Sequence, residues 1–589
     1  MCGIAGLMSR TGGEPDIALL DRMLSAIAHR GPDGEGKHVA GSVAMGQTRL
    51  AIIDLVTGDQ PLYEPGGAAL VANGEVYNYL ELRQELAGVQ FSSGSDCEPP
   101  LHLYRRMGLA FANVLRGMYA IAIHDPAENL LVLTRDPFGI KPLYYVETDQ
   151  LFAFASEPQA LQAAGLGGAG INPLAERELM QLQFTCGSST IHPGIRRVLP
   201  GETLVIRAGR VIERRRRAAL PEAGPRSLND EDGLRELDRV LMESVDLHQR
   251  SDVPYGLFLS GGIDSTALLA MMSRLNERPV VAFTAGFSDA QGAVDERGLA
   301  RAVAQRFGAE HHEAVFGEAD FLTDLPKIIT CIDDPTADYA ILPTWKLAKL
   351  AAQTHGLKVV LCGEGGDELF AGYGRHRAVI RPWFLGGKTG WSKGIFDGLG
   401  VLRDESPAWR DAVGAAEAVS RMRGRNRLQT AQAVDVCDWL PNDLLVKLDR
   451  CLMAHGLEGR TPFLDPVVAD FAFRLPDRLK IRDRRGKWLL RRWLADQAPE
   501  ARPFDRKRGF TVPVGDWIAA RGSRLAELVA RQPDIARLTH TDGLAGLFTS
   551  GEKRARFAAW VLLFHAVWCQ TRIHGADPQG DLESVLAHG

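Results

Sequence analysis

Tyr255-Gly256-Leu257-Phe258-Leu259-Ser260-Gly261-Gly262-Ile263-Asp264-Ser265 is the stretch that decides the fold. A short apolar run ends in a glycine loop, and helical spacing of apolar residues follows from Ala267 to Leu275. A strand that turns directly into a helix presents backbone N–H groups at the positive end of the helix dipole, where an anion is stabilised. Glycine lets a ligand approach the main chain closely. Ser260 and Ser265 add hydroxyl donors. Asp264 is out of place beside a bare phosphate, but it suits a magnesium ion bridging phosphates.

The same pattern recurs downstream. Leu357-Lys358-Val359-Val360-Leu361 is an apolar strand that feeds Cys362-Gly363-Glu364-Gly365-Gly366-Asp367-Glu368 and another helix. Between them Val280 to Phe283 reads as a strand and residues 297–307 as a helix. Alternating β and α units predict a parallel sheet with helices on its faces. In such sheets ligands bind outside the carboxyl ends of the strands. Two acidic glycine loops at one edge therefore predict a magnesium–nucleotide site. Neither is a GxxxxGK[ST] loop, which excludes a Walker-type NTPase. The C-terminal region reads as mostly helical.

Upstream the pattern differs. Ile17, Leu20, Met23, Leu24 and Ile27 recur at helical spacing after Asp16, a cap residue. Short β-type runs follow at Ala69 to Ala72, Tyr119 to Ile123 and Leu130 to Leu133, separated by turns, which predicts largely antiparallel sheets. A polar segment, Arg214 to Asp232, holds four consecutive arginines and then Pro221, Gly224 and Pro225. It marks a boundary between residues 1–215 and 230–589. The arginine run itself reads as a solvated strand end or linker.

Bulk properties bound the rest. A chain of 589 residues exceeds one ordinary core. With 45% hydrophobic and 24% charged residues it has the composition of a soluble globular protein. The net charge of −5 offers no global attraction for nucleic acid or anionic membrane. No apolar stretch is long enough to span a bilayer, and no secretion signal opens the chain, so a cytoplasmic protein is expected. Eight scattered cysteines form no CxxC pair and no metal-ligand spacing, consistent with reduced thiols.

One cysteine stands apart. The chain opens Met1-Cys2-Gly3-Ile4-Ala5-Gly6. Removal of Met1 makes Cys2 the amino terminus, with a thiol and a free α-amine on one residue. An α-amine titrates at about 7.7–8.0, far below lysine, so it can serve as a base beside a nucleophile near neutrality.

These residues together resemble the glutamine-hydrolysing asparagine synthetases from end to end. Ser260 to Ser265 resembles their pyrophosphatase-type ATP loop, and Gly363 to Tyr373 a second signature. Arg460-Thr461-Pro462-Phe463-Leu464-Asp465 and Lys507-Arg508-Gly509-Phe510 resemble two more. The N-terminal half resembles class II (Ntn-type) amidotransferase domains through Cys2-Gly3-Ile4, His29 to Asp33, Arg49 to Asp54, Asn73 to Asn78 and Gly94-Ser95-Asp96. The implied fold is an αββα sandwich of antiparallel sheets followed by a parallel-sheet α/β ATP domain with a helical C-terminal part.

The resemblance also implies roles. Cys2 attacks the side-chain amide of glutamine, and Asn73 and Gly74 form the oxyanion hole. Arg49 pairs with the glutamine α-carboxylate. Leu50, Ala51, Ile52, Ile53, Glu75 and Asp96 complete that pocket, the last two as acceptors for the α-ammonium. ATP binds along Leu259, Ser260, Gly261, Gly262, Asp264, Ser265, Ala285, Cys362 and Gly363, with Mg²⁺ on Asp264 and Asp367. Lys507 offsets negative charge and Glu364 assists ammonia attack. Arg30 and Met118 match positions near an ammonia tunnel. Aspartate is the default acceptor, other carboxylates are the alternative, and the family allows a homodimer. A glutamine at position 47 and Ala51 depart from the usual pattern beside the glutamine pocket. Nucleic-acid modification would call for a basic face, a metal or a sulfur-carrying cysteine pair, and a regulator without catalysis would not need Cys2, Asn73, Asp264, Asp367 and Lys507 together.

Overall fold

The computed structural model describes residues 2–288, 296–381, 393–505 and 512–588. The N-terminal part is built on two six-stranded antiparallel sheets. Residue alternation explains how they stack. In the strand Gly3–Ser9, Ile4 and Met8 face a core shared with Ala69 and Val71 of the strand Ala69–Val76 in the other sheet. Ala5 and Leu7, on the opposite face, pack on Leu20, Met23 and Leu24 of the helix Ile17–Ala26. Leu70 and Ala72 likewise pack on Leu101 and Leu103 of the helix Glu98–Met107. Helix, sheet, sheet and helix thus follow from the two-residue period of each strand. Asp16 caps the first helix by accepting from the Ala18 N–H (3.0 Å). Pro99 and Pro100 sit in the first turn of the second, where a missing N–H costs nothing.

The arginine run belongs to a strand. Arg210–Arg216 pairs with Glu202–Arg207 at the edge of the second sheet, so the irregular segment starts after it.

The second part carries a five-stranded parallel sheet. Its spatial order is Glu310–Phe316, Val281–Phe287, Tyr255–Phe258, Val359–Leu361 and Glu458–Arg460. Tyr255–Phe258 is central, and the chain winds away from it in both directions. The loops after Tyr255–Phe258 and Val359–Leu361 are therefore neighbours at the point where strand order reverses, which opens a crevice at the carboxyl edge. Phe283, Ala285 and Phe287 face one helical layer and Leu257, Leu259 and Leu361 the other. Among the described residues no helix is long and apolar enough to cross a membrane.

Charged contacts lock the two parts together. Arg116 forks onto Asp465 (2.6 and 2.9 Å) and reaches Glu243 (2.6 Å). Arg30, fully buried, forks onto Asp449 (2.8 and 2.9 Å).

Candidate active sites

The first site surrounds Cys2, which is 9% exposed where the two antiparallel sheets meet. Its amide N–H donates to Asn73 Oδ1 (3.2 Å), and its carbonyl accepts from Arg30 Nε (3.2 Å). The Gly3 N–H donates to Thr48 Oγ1 (3.1 Å). These bonds fix the chain's start against three separate strands and loops. Asn73 Nδ2 is buried without a hydrogen-bond partner, a donor held in reserve. Gly74 has φ +150°, and a Cβ there would lie 2.1 Å from the Met118 carbonyl oxygen, so no side chain fits beside Asn73. Burial pushes the Cys2 thiol up, which keeps it protonated and makes a base necessary.

Arg49 closes the strand Val43–Arg49 and donates to Asp59 (2.6 Å) and to the Asp54 carbonyl (2.5 Å). Leu50, Ile52 and Ile53 turn their apolar side chains onto Val359 and Met453 of the second part. The Ala51 N–H donates to Asp33 (2.8 Å). Glu75 and Asp96 are both buried. Asp96 accepts from the Val76 N–H (2.7 Å), and burial raises its carboxyl to about 6. Burial, then the Asp96 charge, drives Glu75 well above the carboxylate range.

The second site is a cavity of about 970 Å³ at the crevice of the parallel sheet. Leu259, Ser260, Gly261, Gly262, Asp264, Ser265, Ala285, Cys362, Gly363, Glu364 and Asp367 all line it. The Ser260 N–H donates to Ser265 Oγ (3.2 Å), which closes the first loop on itself. A Cβ at Gly366 would fall 2.5 Å from Asp264 Oδ1, so only glycine lets the two acidic loops meet.

A lysine that the motifs left unassigned lies between those loops. Lys487 Nζ is 2.7 Å from Asp367 and also contacts Asp264. Burial pulls its ammonium down, but the two carboxylates outweigh burial and hold it above the ordinary lysine value. Its neighbour Gly486 is obligatory, because a Cβ would lie 2.2 Å from the Ala371 carbonyl oxygen. Lys507 lies outside the described residues, as does Met1. The available signal for Lys487 was Gly486-Lys487-Trp488 at a helix start, masked by Arg482, Arg484 and Arg485 just before it. Burial pushes the Glu364 carboxyl up, with Lys447 opposing it, and Lys447 is itself 3.0 Å from Asp338. Perturbed acids and lysines in one cleft are the mark of a reactive site.

A buried guanidinium joins the two sites. Arg460 donates to Glu458 (2.7 Å) and to the carbonyls of His248 (3.0 Å) and Arg250 (2.6 Å). Its Nη2 lies 3.4 Å from Glu75. The last strand of the parallel sheet thus touches the acidic pair of the thiol pocket. Met118 is buried in the same contact zone, packed with Tyr77 and Leu361.

Residues 1–216 match the family described as glutamine amidotransferase domain, and residues 236–570 match asparagine synthase. The chain is 31% identical to "Asparagine synthetase [glutamine-hydrolyzing] 1" of Bacillus subtilis, over 96% of each chain. It is 33% identical to "Putative asparagine synthetase [glutamine-hydrolyzing]" of Mycobacterium bovis, over 96% of this chain and 97% of the relative. It is also 32% identical to "Amidase chry2" of Gibberella zeae, over 82% of this chain and 84% of that one.

Proposed function

The chain belongs to the glutamine-hydrolysing asparagine synthase family, and from that premise we propose that it makes asparagine from aspartate, glutamine and ATP through an acyl-adenylate. With Met1 removed, the Cys2 α-amine takes the thiol proton as Sγ attacks the glutamine side-chain carbon. Asn73 Nδ2 and the Gly74 N–H stabilise the oxyanion. The Cys2 α-ammonium passes that proton to the amide nitrogen, so collapse expels ammonia and leaves a thioester, which water cleaves to glutamate and the free thiol. Arg49 holds the α-carboxylate, once its present partners yield, and Asp96 accepts from the α-ammonium. Leu50, Ala51, Ile52 and Ile53 contribute main-chain groups, since the apolar side chains of 50, 52 and 53 are engaged elsewhere.

At the nucleotide end, the glycine loops cradle the phosphates. The aspartate β-carboxylate attacks the α-phosphorus, pyrophosphate leaves, and ammonia then displaces AMP from the acyl carbon. Lys487, paired with Asp264 and Asp367, balances the pentavalent charge in the role that the sequence motifs gave to Lys507. Glu364, with its raised pKa, takes a proton from the attacking ammonia. The donor set fits magnesium: Asp264 and Asp367 offer hard carboxylate oxygens, brought together by the bare Gly366. Bound there, magnesium supplies charge neutralisation at the pyrophosphate. Free ammonia becomes ammonium in bulk water, so the route between the sites runs along the buried contact zone near Arg30 and Met118. The free cysteines suit a reduced, cytoplasmic enzyme.

The observation that carries this reading is Lys487 joining the acidic residues of both glycine loops within one cavity. The similarity to an amidase favours a second reading, the same chemistry on a different carboxylate. A pyrophosphate-release assay across a panel of carboxylic acids, with ATP, Mg²⁺ and glutamine, separates them. Release with aspartate together with asparagine formation supports the first. Release only with another acid replaces it with the second.

A further inference from the structure

Away from both sites, the other end of the parallel sheet gathers Glu310, His312 and His355. One ligand atom of each lies within 4.8 Å of the others. Glu310 and His312 are two residues apart on the edge strand Glu310–Phe316, so their side chains leave the sheet on the same face. The Glu310 carboxylate and His312 Nε2 are 2.8 Å apart. His311, between them, turns to the opposite face and meets Thr284 Oγ1 at 2.7 Å.

His355 arrives from a different element. It terminates a wide helical turn, Leu350–Thr354, that continues the helix Ile341–Lys349. Such turns reset the direction of the next side chain and recur at functional positions. Gly356, with φ +64°, lets the chain reverse immediately afterwards. The His355 and His312 rings come to 4.0 Å between centroids, and both rest on Phe283, at 5.1 and 5.6 Å.

We propose that Glu310, His312 and His355 form a binding site for a late first-row divalent ion of the zinc class. Two imidazoles and one carboxylate are a donor set for such ions, whereas magnesium and calcium prefer all-oxygen shells. Three protein ligands leave a coordination position for water. The arc of ligands is half-exposed at the sheet edge and backed by an apolar ring, so an ion enters from solvent and meets a rigid wall. The site ties the edge strand to the end of the helix Ile341–Lys349. Phe283 is also among the residues that line the nucleotide cavity. The proposal does not depend on the reaction assigned above.

The test uses the full chain stripped by chelator and kept in excess Mg²⁺, which would compete for the carboxylates of Asp264 and Asp367. Titration with Co²⁺, read by visible absorption, should give one equivalent with a nitrogen-ligand spectrum that Zn²⁺ displaces. His312→Gln and His355→Gln should each abolish it, with circular dichroism confirming the fold. Glu310→Gln, on an exposed edge, should keep the fold and weaken Co²⁺ binding about tenfold or more. Asp264→Asn should leave the spectrum intact. An unchanged spectrum in both histidine variants, its loss in Asp264→Asn, or no Co²⁺ spectrum in the native protein overturns the site.

Discussion

The thiol pocket and the nucleotide cavity are built in opposite ways. The hydrogen-bond partners of Cys2 are Asn73, Leu50 and Arg30, all within the first 73 residues and carried on neighbouring strands and loops. The nucleotide cavity draws on residues 259–265, 285, 362–367 and 487, which only the parallel sheet and its helices bring together. One pocket is nearly closed and main-chain in character, and the other is large and lined by charged side chains. A buried nucleophile needs fixed geometry and little room, whereas a triphosphate and an acceptor need volume and cations. Loss of a reacting group in one should therefore leave the chemistry of the other in place.

The sharpest way to break that contrast is Cys2→Ala. Glutamine-dependent synthesis should vanish while synthesis from added ammonium persists, measured as product formed from each nitrogen source. Equal loss of both would mean one inseparable site. Lys487→Met should do the converse. Glutaminase activity, measured as glutamate release, should survive, and adenylation should fall about a hundred- to a thousandfold, the scale of losing one electrostatic stabiliser of a transition state. Retained adenylation would return the charge-balancing role to Lys507.

A smaller effect separates the regions by pH. Asp96 has its carboxyl raised to about 6, so it is ionised above that pH and protonated below it. A protonated Asp96 no longer attracts the glutamine ammonium. The KM for glutamine should rise about tenfold per pH unit below that value, with the KM for ATP showing no such inflection. A flat glutamine KM between pH 7 and pH 5 would remove Asp96 from the pocket.

The contrast also explains what could be read from the chain beforehand. Strands Tyr255–Phe258 and Val359–Leu361 are buried on both faces and announce themselves as apolar runs. Their loops are contiguous motifs, so the part of the cavity lining that they contribute was legible residue by residue. The edge strand Glu310–Phe316 was not, because its first four residues are Glu310, His311, His312 and Glu313, with solvent on one side. Glu458–Arg460 was hidden for a different reason: its charges are fully buried, paired with each other and with Glu75 far away in the chain, where a short charged stretch reads as surface. Gly3–Ser9 carries glycines that weaken its strand signature, and Gly6 is needed because a Cβ would strike the Phe154 ring at 2.5 Å. The Lys487–Asp367 and Arg460–Glu75 contacts join residues more than a hundred positions apart, and that distance is why they became visible only in the folded chain.

The Arg460–Glu75 contact bears on the order of biosynthesis. A ribosome delivers the thiol pocket long before the strand Glu458–Arg460 emerges. Until then Glu75 lacks the guanidinium that, in the finished chain, works against burial and the neighbouring Asp96 charge. A half-made polypeptide would thus hold the thiol pocket without the counter-ion that completes it, and a strand translated late finishes a pocket translated early.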